Sequence, residues 1–152
     1  CLLAALGPRM LALARERTAG GHPYFVPVEH TRVAREALGP ERLLAPEQAV
    51  ALESDPVRAR RHAREHMHLY LRRPNYANNL LRLGFTDDDL RDGGSDRLVD
   101  AIVDWGDEEA IAQRVREHHV AGADHVCIQV IGTPADRLPR EPWRRLAAAL
   151  TG

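Results

Sequence analysis

Short apolar runs without a helical period alternate along this chain with longer stretches that carry one. The short runs are Leu2–Leu6, Tyr24–Val26, Leu43–Leu52 (interrupted by Pro46) and His125–Ile131. Residues that are apolar on both alternating sets belong to strands covered on both faces. Such strands form parallel sheets joined by helical crossovers. The expected order is strand, helix, strand, helix, strand, several helices, strand, helix. That is an α/β chain of about four β/α units, read as a single domain over residues 1–152. A complete (β/α)8 barrel needs roughly 250 residues. Two architectures remain: a small open α/β sheet, or the second half of a barrel.

The intervening stretches carry helix signals. Pro8 suits a first helical turn, and Met10, Leu11, Leu13 and Ala14 give that helix an apolar face up to about Thr18. A second helix runs from Pro27 through Val33, Ala34 and Ala37 to the stop at Gly39-Pro40. Ser54 or Asp55 caps a long helix with Pro56 at its first position. That helix reaches about Arg73 and buries Ala63, Met67, Tyr70 and Leu71. Residues 74–104 read as short helices, with Leu80, Leu81, Leu83 and Phe85 as their apolar part and a helix start at Thr86–Asp89. Asp107 caps the next helix, which turns Ile111 and Val115 inward and stops at Gly122. A terminal helix covers Trp143–Leu150.

Composition narrows the function classes. The 44% hydrophobic content excludes an intrinsically disordered chain. No uncharged apolar run approaches the roughly 20 residues that span a bilayer, so no membrane partner is expected. The net charge of −1 gives no global field for nucleic acid. All 21 basic residues are arginine, which removes every lysine nucleophile and Schiff base. Cys1 and Cys127 form no disulfide framework, and two lone thiols suit a reducing cytoplasm. Cys1-Leu2-Leu3-Ala4-Ala5 has no initiator Met and reads like the inside of a buried strand. A chain truncated at its N-terminus is the expectation.

Several motifs carry possible chemistry. In Ala4-Ala5-Leu6-Gly7-Pro8-Arg9 a small-residue strand end runs into a glycine and a helix start. Free N–H groups and the positive end of the helix dipole suit a phosphate there, and Arg9 can add a bidentate contact. The plain alternative is an ordinary strand-to-helix turn. Gly20-Gly21-His22-Pro23-Tyr24 brings an imidazole and a phenol to the next strand, and His22 can exchange a proton near neutral pH. The plain alternative is a polar turn beside a buried tyrosine. His62-Ala63-Arg64-Glu65-His66 matches an inverted zinc-peptidase pattern. Its arginine neighbours disfavour a dication and no third ligand stands out, so no metal is expected. His118-His119 sits where histidines stabilise a helix end. Pro74–Asn79 is a polar lid or a helix start, and Asp87-Asp88-Asp89 is a helix-capping run.

Taken in order, these segments resemble the bacterial luciferase-like monooxygenase superfamily, and within it the coenzyme F420-dependent oxidoreductases. Leu3–Leu11 looks like the fifth strand and its turn. Ala19–Tyr24 looks like the next strand, with Ala19-Gly20 where relatives often carry Asp-Gly. Leu44-Ala45-Pro46-Glu47-Gln48 is similar to the seventh strand, Asn75-Tyr76 and Leu83–Asp89 to the helical segment after it, and Gly122–Val126 to the approach to the eighth.

The resemblance implies the C-terminal half of a luciferase-like TIM (β/α)8 barrel, with the first four strands absent. It implies F420, or alternatively FMN, as cofactor. The phosphate would be contacted by Ala4, Ala5, Leu6 and Gly7, largely through backbone, with Arg9 beside it. His22 and Tyr24 would face the cofactor or substrate pocket, and His22 is the proton-transfer candidate. The activity implied is hydride transfer between the deazaflavin and a small organic substrate. The alternatives are an FMN-dependent monooxygenase and a non-catalytic half-barrel that acts by association. A homodimer or other homo-oligomer is the expected partnership.

Overall fold

The computed structural model describes residues 1–134 and 136–151. Strand β1 (Leu2–Leu3) leads through the Gly7 turn into α1 (Pro8–Arg17). Next come β2 (Gly20–Gly21), α2 (Val28–Leu38), β3 (Leu43–Leu44) and β4 (Glu47–Ala51). A helical segment follows: α3 (Pro56–Leu71), α4 (Pro74–Arg82), α5 (Asp87–Leu90), a 3-10 turn and α6 (Asp96–Ile102). Then come β5 (Val103–Trp105), α7 (Glu108–Val120), β6 (Cys127–Val130) and α8 (Arg140–Leu150). All strand pairs are parallel, in the orders β1-β2-β3 and β5-β4-β6.

β3 and β4 are one extended run broken at Pro46. Its odd residues face β2: the N–H groups of Leu43, Ala45 and Glu47 donate to the carbonyls of Ala19, Gly21 and Pro23. Its even residues face β6: Cys127 N–H donates to Pro46 O, so the proline supplies an acceptor where it has no donor. Pairing with β2 ends at Pro23. Phe25 then takes a left-handed φ of 59°, and the chain turns away. The edge of β4 so released is filled by β5, with Ala49 opposite Val103.

Two expectations are corrected here. Tyr24–Val26 is not a strand, because Phe25 bends the wrong way for one; the second strand is Gly20–Gly21. Residues 74–104 hold helices as expected, but Val103 opens a strand instead of ending a helix. Elsewhere the capping chemistry reads through. The Asp55 carboxylate accepts from Val57 N at 2.9 Å, Thr86 and Asp89 form a reciprocal capping box, and Asp107 accepts from Ala110 N at 2.9 Å.

The two faces of the sheet differ. Leu44 and Ala5 pack against Leu11, Ala14, Ala34 and Leu38 of α1 and α2, and Val50 packs against Ile111 and Leu146 of α7 and α8. By alternation Leu2, Gly20, His22, Leu43, Ala45, Glu47, Cys127 and Gln129 point to the other face. There Leu43 is 42% exposed, and Leu2, His22, Cys127 and Gln129 are half-buried. A third apolar cluster joins Phe25, Ala49 and Val103 to Ala63, Met67, Leu80, Leu98 and Val99. It fixes the helical segment beside the strand ends. No closed barrel is present among the described residues.

Candidate functional site

In parallel sheets the carboxyl ends of the strands share one edge, and ligands bind there. Two segments at that edge are those singled out in the sequence. Gly7 is the N-cap of α1. It has no side-chain cap, and the first turn contains no acidic residue. Met10 N and Leu11 N both donate to Gly7 O at 3.1 and 3.0 Å. Arg9, in that turn, is exposed, as is Ala4. Ala5 is spent on the core behind the sheet, so it can offer a ligand only backbone. Leu6 O is held at 2.9 Å by Nε2 of His30, which is 1% exposed. Burial lowers the His30 pKa, so the ring is neutral and Nε2 carries the donated hydrogen.

His22 continues the β2 ladder through its N–H to Leu3 O at 2.9 Å. Its ring Nδ1 lies 2.5 Å from Ala45 O. A carbonyl only accepts, so Nδ1 carries the hydrogen, and the tautomer this selects has its lone pair on Nε2. Two residues beyond Ala45, on the same face, lies Glu47. It is 5% exposed. Its Oε2 accepts Phe25 N–H at 3.2 Å, and its Oε1 is buried without a partner among the described residues. Burial without a cation raises the Glu47 pKa to about 7, against the smaller lowering effect of the Phe25 N–H. Cys127 stands opposite Glu47 in register, and burial and the Glu47 charge both push its thiol up.

Tyr24 crosses to the neighbouring elements. Its hydroxyl lies 2.7 Å from Gln129 Oε1 and 2.9 Å from the Tyr70 hydroxyl. One hydroxyl has one proton, so Tyr24 donates to Gln129 and accepts from Tyr70. Desolvation, then the Tyr70 bond, holds the Tyr24 phenol well above its ordinary pKa. It therefore serves as a hydrogen-bonding group and not as a base. Tyr70 stacks on Phe25 and Tyr76 meets it edge-on, with ring centroids 5.1 and 5.5 Å away. A cleft of about 460 Å³ opens beside Gln129, lined by His62, His66 and the chain after β6.

The other histidine motifs lie on α3 and α7. His62 Nδ1 lies 3.6 Å from Glu65, while His66 packs on the Tyr70 ring. No group of three potential metal ligands occurs among the described residues. His118 is fully buried between Thr31 Oγ1 at 2.8 Å and Gln48 Oε1 at 2.9 Å, a core role and not a helix-end charge. Glu47, Gln129, Arg82 and His30 were not singled out in the sequence. A carboxylate inside a doubly apolar run was the one signal available for Glu47.

No protein-family model matches the chain, and no curated protein matches it. Solved structures match by shape. The chain aligns with the coenzyme F420 dependent tetrahydromethanopterin reductase from Methanopyrus kandleri at TM-score 0.69 and 17% identity, over 95% of this chain and 47% of that one. An F420-dependent secondary alcohol dehydrogenase, in complex with an F420-acetone adduct, aligns at TM-score 0.59 and 14% identity, over 84% of this chain and 42% of that one. Apo-MsnO8 aligns at TM-score 0.55 and 16% identity, over 97% of this chain and 49% of that one. The chain thus spans less than half the length of these structures. In fold it is an α/β chain with parallel strands, similar to part of these three structures. No helix among the described residues is long and apolar enough to cross a membrane.

Proposed function

We propose that this chain is the cofactor-phosphate-holding part of an F420-dependent oxidoreductase that moves a hydride to or from a small organic substrate. The carrying observation is a conjunction: the fold match to two F420-dependent enzymes, and an uncapped, acid-free helix start at Gly7 on the strand-end edge. F420, when bound, supplies the hydride at its deazaflavin carbon. The chain's own residues do the rest. The N–H groups at Gly7 and Arg9 bind phosphate, with Ala4, Ala5 and Leu6 contributing backbone. His22, oriented by Ala45 O, accepts or returns a proton at Nε2. Tyr24 and its aromatic neighbours wall the pocket and exclude water. The half-exposed inner face, with Leu43, favours completion by further chain, whether covalent or from a second copy. Fluorescence titration of the 152-residue chain with F420 and with FMN tests the reading. F420 binding in the micromolar range supports it; binding of FMN alone, with oxygen consumption, would replace it by a monooxygenase.

A further inference from the structure

The start of α1 is not only uncapped; a second wall faces it. Arg82, the last residue of α4, places its Nη2 3.4 Å from where a Gly7 Cβ would stand. A guanidinium beside an uncapped helix start, with Arg9 in the first turn, concentrates positive potential without a local counter-charge. Among the described residues the one side-chain bond of Arg82 is a long 3.4 Å contact to Asn79 Oδ1. Asn79 is 3% exposed, and the other atom of that amide, Nδ2, is buried without an acceptor. An orphaned buried donor is costly and calls for a partner. His30, buried under the same turn, also senses the Arg82 charge, which helps lower its pKa. No carboxylate lies in the first turn of α1, and Arg82 forms no ion pair among the described residues.

We infer that Arg82 and Asn79 of α4 form, with the Gly7 turn, a two-walled site for a phosphate group. A tetrahedral phosphate accepts from several directions at once, so it can take the helix N–H groups on one side and the fork of Arg82 on the other. Asn79 orients the guanidinium over the Gly7 turn through Oδ1. Phosphate binding therefore clamps the helical segment onto β1 and α1. The assignment of Arg82 rests on the proposed reading only for the phosphate's source, which is the cofactor's.

Inorganic phosphate is the probe, because it isolates this site from the deazaflavin ring. Phosphate binding to the 152-residue chain is measured by calorimetry and by hydrogen exchange of segments 1–11 and 74–82. Saturable binding that protects both segments, and weakens at least tenfold in Arg82→Gln with unfolding temperature in phosphate-free buffer unchanged, is the expected result. Arg82→Lys should recover part of the affinity, as a point charge without the fork. Binding that is indifferent to Arg82→Gln, or that protects segment 1–11 alone, overturns the inference. An F420 titration of the same variant separates the two readings. F420 affinity unaffected by Arg82→Gln would sink the second wall and leave the oxidoreductase reading standing. Arg82-dependent phosphate binding without F420 or FMN binding would do the reverse.

Discussion

The Glu47 carboxylate and the Phe25 amide are bonded across the end of β2, with Oε2 accepting the Phe25 N–H at 3.2 Å where φ is 59°. A left-handed backbone at a non-glycine residue costs on the order of 1 kcal/mol. The bond holds that conformation, which ends one strand pairing and opens an edge for β5. Below pH 4.5, where the Glu47 carboxyl is protonated, Glu47→Ala leaves a buried N–H unpaired and should destabilise the chain by about 1–3 kcal/mol. At the same pH Glu47→Gln keeps an amide oxygen as acceptor and should stay within about 1 kcal/mol of the parent. Urea unfolding of both variants tests this; equal losses would mean that the carboxylate does not hold the bend.

The same residue shapes the pH dependence. Burial raises Glu47 to about 7 from 4.5, so its contribution to stability is full below pH 4.5 and is lost as pH rises through 7. Buried His118 goes the other way, lowered to about 4 from 6.5. Its contribution is full above pH 6.5 and is lost as pH falls through 4. Each shift is worth on the order of 3 kcal/mol by linkage. Between pH 4.5 and 6.5 the two slopes oppose each other. The parent should show a flat profile there, while Glu47→Gln should gain stability steadily with rising pH. A flat profile in the variant would remove His118 as a buried neutral group.

How much of this was legible in the sequence follows from the range of each interaction. Asp55 before Pro56, the Thr86–Asp89 box and Asp107 are local devices, and each was read where it occurs. The broken third strand was legible too, because Pro46 announces its own missing donor. Tyr24–Val26 misled because apolar aromatic residues suit a strand, and the carboxylate that bends Phe25 lies on another element. Val103–Trp105 was missed for a linked reason: it fills an edge that only that bend exposes. At the site, Gly7 and His22 were visible as motif members. Arg82 was not, since nothing local to α4 shows that its end lies over Gly7.

Tyr24, Tyr70 and Gln129 should behave as one unit. Tyr24→Phe removes the donor to Gln129 and the acceptor for Tyr70 together, at an expected loss of about 1–3 kcal/mol. Tyr70→Phe on that background should add less than it does alone. The expected coupling in the double-mutant cycle is about 0.5–1.5 kcal/mol. Additive losses would show that the two hydroxyls do not share a hydrogen bond in solution.

Two glycines that looked alike in the sequence should part company. A Cβ on Gly20 would stand 1.8 Å from Leu43 O, a backbone atom held in the sheet at Leu43 N→Ala19 O. Gly20→Ala must therefore push β3 away from β2 and should prevent folding or leave a strongly destabilised chain. Gly7 has φ −87°, open to any residue, and a Cβ there meets the movable end of Arg82 at 3.4 Å. Gly7→Ala should fold normally, with unfolding temperature unchanged or slightly raised because alanine restricts the unfolded chain. Its effect belongs to the ligand: the methyl group crowds the guanidinium and the approach of an anion to the helix start. Calorimetry should show phosphate affinity reduced several-fold in Gly7→Ala at undiminished stability. Loss of stability in Gly7→Ala with phosphate affinity intact would make Gly7 a packing glycine like Gly20, and its turn an ordinary strand-to-helix connection.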